Sequence, residues 1–142
     1  MGRSRRERQA EVLLAMHDVV ARTDAAVAPL LVKHGLTPAT AHLLWLVDPA
    51  AAPPSMKALA EQLGCAPSNV TFLSQHLETR GLAFRTRSTA DRRQRVLGLT
   101  DAGVAARAAV VEQVARHSPL ADLDDAALDA VLDALRAGRG AP

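Results

Sequence analysis

The chain has 142 residues, 49% of them apolar, which allows one domain with helical extensions. Only Trp45, Phe72 and Phe84 are aromatic, so the core must be packed from Leu, Val and Ala, which favours close-packed helices. Net charge is +2 and no apolar run approaches the ~18 residues of a membrane span. With no apolar signal core behind Met1-Gly2-Arg3, and a lone Cys65 that excludes an internal disulfide or a multi-cysteine zinc site, the chain reads as cytoplasmic.

Residues 4–34 carry Val12, Met16, Val19, Val20, Thr23, Val27, Leu30 and Leu31 at helical spacing. A helix of ~30 residues would be ~45 Å long, more than one small domain covers. Pro29 should remove a backbone bond and kink or split it, and Gly35 should end it. Thr37 and Pro38 read as cap and first residue of a second helix reaching about Asp48, with Leu43, Leu44, Trp45 and Val47. After a stiff loop over 49–54, Ser55 caps a third helix, Met56–Leu63. Gly64-Cys65-Ala66 is a tight turn, and residues 67–80 form a fourth helix with Val70, Leu73 and Leu77 inside, ended by Gly81.

The period then changes. Residues 82–87 and 94–99 read as two short strands around a polar tip, 88–93. Thr100 caps a helix over Asp101–His117, with Val104, Ala108, Val111 and Ala115 on one side; Ser118-Pro119 breaks it. Asp124 caps a final helix striped by Leu128, Val131, Leu132 and Leu135, with Gly138 at its end.

Charge is unevenly placed along these elements. From Arg80 to Arg95 there are six arginines against the single acid Asp91, whereas Ala121 to Asp133 holds five aspartates and no base. A basic cluster on a nearly neutral chain points to a local polyanion site. Two helices joined by a short glycine-containing turn and followed by a hairpin spell a winged helix-turn-helix, whose second helix enters the DNA major groove. With Val70, Leu73 and Leu77 inward, Ser68, Asn69, Thr71, Phe72 and Gln75 face outward. Asn and Gln can bond adenine bidentately, Ser and Thr suit phosphates or bases, and Phe72 offers apolar contact. The hairpin supplies Arg85, Arg87, Arg92, Arg93 and Arg95 for phosphates or a narrow minor groove. Asp91, two residues before Arg93, is placed to hold that guanidinium in one direction; the alternative is a surface ion pair of small value.

The run Asp91-Arg92-Arg93-Gln94-Arg95-Val96-Leu97-Gly98-Leu99-Thr100-Asp101-Ala102-Gly103 resembles the wing signature of the multiple-antibiotic-resistance regulator (MarR) family: Asp-x-Arg, five residues, Leu-Thr, two residues, Gly. Leu59-Ala60 with Gln62-Leu63-Gly64, and Leu77-Glu78 with Arg80-Gly81-Leu82, are similar to its helix-turn-helix in register, and Gly35-Leu36-Thr37 stands where its second helix begins. The resemblance covers nearly the whole chain. It implies a mainly α fold: a winged helix-turn-helix over 37–100, a dimerisation helix over 1–36, dimerisation helices over 101–142, and a β-wing of two or three strands. It also implies a homodimeric transcriptional regulator, usually a repressor, whose wings straddle a near-palindromic double-stranded operator. Many members release DNA on binding small, often phenolic molecules, so a small-molecule effector is a candidate partner. Three residues depart from the pattern: Ala66 where a capping Ser or Asp is common, Phe72 for a polar or basic residue, and Phe84 at a usually polar wing position.

Other residues carry less. Cys65 reads as core, and the five histidines lack metal-ligand spacing, so no metal or cofactor is expected. His17 and Trp45 are candidates for lining an effector pocket, with ordinary packing as the alternative. No nucleophile–base motif or phosphate-cradling loop points to an enzyme. The alternative class is an architectural or protein-interaction winged helix that reads no operator.

Overall fold

Ser4 and Glu7 start the first helix by capping each other, the Ser4 N–H donating to Glu7 Oε2 at 2.6 Å and the Glu7 N–H to Ser4 Oγ at 3.2 Å. The bond from the Ser4 backbone holds the Glu7 carboxyl below the usual carboxylate range. In the computed structural model, which describes residues 2–140, helix α1 then runs unbroken over Arg5–His34. Pro29 does not split it. Both Pro29 and Ala25, whose carbonyl loses its donor there, are exposed, so water can satisfy that carbonyl. The turn follows at Gly35, whose φ of +63° a side chain would resist, and the Leu36 N–H closes back on the Leu31 carbonyl at 2.8 Å.

Helix α2, Pro38–Leu46, opens with a capping box between Thr37 and Thr40. It ends two residues earlier than its sequence suggested, because Val47 leaves the helix in an extended conformation and is buried. Helix α3, Met56–Leu63, has the expected bounds: Ser55 Oγ accepts the Ala58 N–H at 3.0 Å, and Gly64 ends it at φ +64°. Helix α4, Pro67–Thr79, has no side-chain bond at its cap, since Ala66 has none to offer. Strands β1, Ala83–Arg87, and β2, Arg95–Leu99, pair antiparallel with Ala83 opposite Leu99 and Arg87 opposite Arg95. A single bridge from Ser55 to Val96, with the Leu97 N–H on the Pro54 carbonyl at 3.0 Å, lays the loop before α3 along β2. Helix α5, Asp101–His117, follows. A 3₁₀ turn, Pro119–Asp122, was not foreseen, and α6, Asp125–Gly138, is capped by Asp124 on the Ala127 N–H at 2.8 Å. The glycine that turns the chain after α6 is Gly140, at φ +75°, while Gly138 stays helical.

The chain forms two compact units. Residues Val27–Val114 build a core on Leu43, Leu44, Leu59, Val70, Leu77 and Leu97, all fully buried. This unit is the winged helix-turn-helix, extended by the last two turns of α1 and most of α5. The described residues up to Ala26 and from Ala115 onward form the other unit, in which α6 has no buried residue.

Where α5 begins, the backbone is tightly held. Thr100 donates its N–H to the Leu82 carbonyl at 3.1 Å and its hydroxyl to the Gly81 carbonyl at 2.6 Å, and its Oγ1 accepts the Gly103 N–H at 3.0 Å. Gly103 is buried against the Leu82 carbonyl oxygen, and a Cβ there would overlap that atom. The Leu-Thr-x-x-Gly run is thus a fastening of α5 onto the turn between α4 and β1.

Candidate nucleic-acid interface

Helix α4 buries Val70, Leu73 and Leu77 as its spacing required, and also Ser74. That serine is fully buried, and among the described residues its Oγ has no hydrogen-bond partner. Ser74→Ala should therefore leave stability unchanged or raise it by about 1 kcal/mol in urea unfolding. A clear loss would show that the hydroxyl is bonded in solution.

Burying that face turns the other outward. Ser68, Asn69, Phe72 and Gln75 are exposed, and Thr71, half-buried, donates its hydroxyl to the Pro67 carbonyl at 3.2 Å. Phe72 is 57% exposed and packs edge-to-face with His76, with ring centroids 4.7 Å apart. All five residues expected on the outer face of α4 therefore lie on it, with two amides and two hydroxyls among them.

In the wing, the structure separates the five arginines. Arg85 is half-buried and tied to α4: Glu78 accepts the Arg85 N–H on Oε1 and its Nε–H on Oε2, both at 3.0 Å. This pair binds the hairpin to α4 and leaves Arg85 less free than the others. Arg87, Arg92, Arg93 and Arg95 are exposed and make no ion pair among the described residues. Arg87 and Arg95 stand directly opposite each other in the sheet, where like charges repel. A like-charge pair where the strands meet the tip of the wing is what a polyanion would relieve.

Asp91 reaches Arg93, but by a bond other than the expected one. Its Oδ1 accepts the Arg93 backbone N–H at 3.0 Å rather than a guanidinium N–H. In a turn, the N–H two residues on is close to an aspartate, whereas the end of a long side chain is free to leave. Ser88 completes the tip, its Oγ accepting the Ala90 and Asp91 N–H groups at 3.2 and 3.3 Å. The tip is thus shaped by side chains, and Arg92 and Arg93 project from it.

Phe84, 45% exposed, lies over Gly98 across the sheet, where a Cβ would collide with the ring. Cys65 is partly buried against the core, and no three metal-ligating side chains come together among the described residues. The Trp45 carbonyl accepts the Arg107 Nε–H at 3.0 Å. A cavity lies elsewhere, beside α4. Its walls are Phe72, Gln75, His76, Thr79 and Arg80, with His34 from the end of α1 and Leu82. Of these, only Phe72 and Gln75 were expected as DNA-contacting residues, while Arg80 was counted in the basic cluster. Arg80 and His34 are 46 residues apart by number, and nothing in local periodicity links them.

A model of the MarR family matches residues 36–94. Among solved structures, the transcriptional repressor CouR bound to a 23-mer DNA duplex is 33% identical, over 92% of this chain and 90% of that one, with a TM-score of 0.73. CouR from Rhodococcus jostii RHA1 bound to p-coumaroyl-CoA is 24% identical over 88% and 89% of the two chains, with a TM-score of 0.74. The YusO protein from Bacillus subtilis is 25% identical over 98% and 100%, with a TM-score of 0.58. No curated protein matches the chain.

Proposed function

Because this chain belongs to the MarR family of transcriptional regulators, we propose that it is a homodimeric, operator-selective repressor that reads DNA with α4 and grips it with the wing. The observation that carries this reading is the pairing, on one compact unit, of an exposed α4 face bearing Asn69 and Gln75 with four exposed wing arginines that make no ion pair among the described residues. Amides supply base discrimination and arginines supply affinity. CouR, a 33% identical transcriptional repressor seen bound to a DNA duplex, supports it. Release of the operator by a small molecule belongs to the same reading, and the CouR chain holding p-coumaroyl-CoA is a case in the same fold.

Dimerisation is supported by the other unit. Val12, Leu13, Leu14 and Val20 on α1 are each more than half exposed, and Val131, Leu132 and Leu135 on α6 are at least 38% exposed. Apolar stripes of that extent are covered by a partner in soluble proteins. Sedimentation velocity at micromolar concentration should give about twice the mass of one chain; a folded monomer there would remove the dimer from the proposal. A two-fold dimer in turn requires a near-palindromic site.

The test of the whole is selection from a random duplex pool, followed by titration of the selected site against random DNA. A repressor should prefer its site by roughly 10³-fold or more. Equal affinity for all duplexes would return the architectural alternative. In the same assay Asn69→Ala or Gln75→Ala should relax preference at particular base pairs, by ~1–3 kcal/mol for each good bidentate pair. A uniform loss over all sequences would reassign that residue to phosphate contact.

A further inference from the structure

Phe72 is a large apolar side chain that the core does not claim. It is more than half exposed on α4, while Val70, Leu73 and Leu77 supply the buried contacts of that helix. An exposed ring adds little to stability, and a DNA phosphate has no use for it. Its place on the helix is central to the outer face. Asn69 stands three residues before it and Gln75 three residues after, both exposed, and residues so spaced are neighbours on a helix surface. The ring therefore lies between the two amides suited to adenine. It is also steadied there, packed edge-to-face on His76 with 69° between the ring planes.

Among the base edges of the major groove one methyl group is presented, that of thymine at C5. We propose that Phe72 is a specificity-determining residue that packs on a thymine methyl in each half-site, beside the bases that Asn69 and Gln75 read. The amides select adenine by hydrogen bonds, whereas Phe72 selects thymine over cytosine by a single carbon. A cytosine methylated at C5 restores that carbon in the same place, so the ring should favour it over plain cytosine. The proposal rests on the repressor reading, which lays α4 in the major groove.

The test uses the operator selected from the random pool. Each thymine of the half-site is replaced in turn, in both halves together, by deoxyuridine, which lacks only the methyl. At least one replacement should weaken binding about 15-fold, from about fourfold for each methyl buried against a ring. Phe72→Ala should bind the thymine and uracil forms of that position equally, and Phe72→Leu, still apolar, should keep part of the preference. With the same pair changed to C·G, methylation of its cytosine at C5 should raise the affinity of the parent chain but not of Phe72→Ala. A selected site with no recurrent thymine, equal affinity for every uracil form, or no gain from cytosine methylation overturns the proposal. So does a thymine preference that survives in Phe72→Ala, which would come from duplex shape rather than contact. Operator affinity unchanged in Phe72→Ala also overturns it and leaves the ring for a protein or small-molecule partner. Site selectivity without these effects fails this proposal alone, whereas equal binding to all duplexes fails the repressor reading and this proposal with it.

Discussion

Gly103→Ala should destabilise the protein by roughly 3 kcal/mol, among the largest effects expected of any single methyl group in this chain. The added carbon would overlap the Leu82 carbonyl oxygen, which is backbone and already accepts the Thr100 N–H at 3.1 Å. It cannot swing aside as a side-chain tip would. Relief requires α5 to lift from the junction of α4 and β1, and the Thr100 bonds to Gly81 and Leu82 go with it. Gly81 is the natural control, twenty-two residues earlier by number. Its φ is +68° but nothing lies within 4 Å of a Cβ built there, so Gly81→Ala should cost only about 1 kcal/mol, the price of a left-handed backbone. Chemical unfolding of both variants checks the difference. Equal losses would mean that the Leu82 contact relaxes easily and that Gly103 is present for another reason.

The same junction shows what sequence patterning could and could not reveal. Helix α3 was legible to its last residue, because Ser55 and Gly64 are local signals whose physics acts over a single turn. The outer face of α4 followed equally directly from the three apolar residues that turn inward. Ser74 was hidden, since a serine in a helical stripe reads as polar and its burial depends on neighbours brought from elsewhere. Pro29 misled in the other direction: the lost hydrogen bond is real, but its cost falls on an exposed carbonyl. The wing's basic character was plain from composition, whereas the withdrawal of Arg85 by Glu78 depends on α4 turning back into β1. Arg80 on Gly35 is a contact between distant segments, and no periodicity announces it. Local capping and face assignment are written in short windows; partners across a turn or a core are not.

The wing tip yields the second large effect. Arg93→Ala should remove one cationic contact per subunit, hence two in a dimer on its site, and flatten the plot of log affinity against log salt by about 2. Random duplex should lose affinity along with the operator if Arg93 only supplies charge. Asp91 distinguishes charge from aim. Its Oδ1 holds the Arg93 backbone N–H at 3.0 Å, so the carboxylate sets the course of the tip rather than the guanidinium directly. Asp91→Asn removes the negative charge but keeps an oxygen acceptor in the same place. Asp91→Ala removes both. If the wing acts through charge alone, the two variants should bind all DNA more tightly, and to the same degree. If the turn aims Arg93, Asp91→Asn should keep or improve operator affinity, while Asp91→Ala should lose selectivity as binding to random duplex holds or rises. Titration of both against operator and random DNA at several salt concentrations separates these cases. Identical behaviour of the two would leave Asp91 as a solvated surface charge, and Arg93 with no group to direct it.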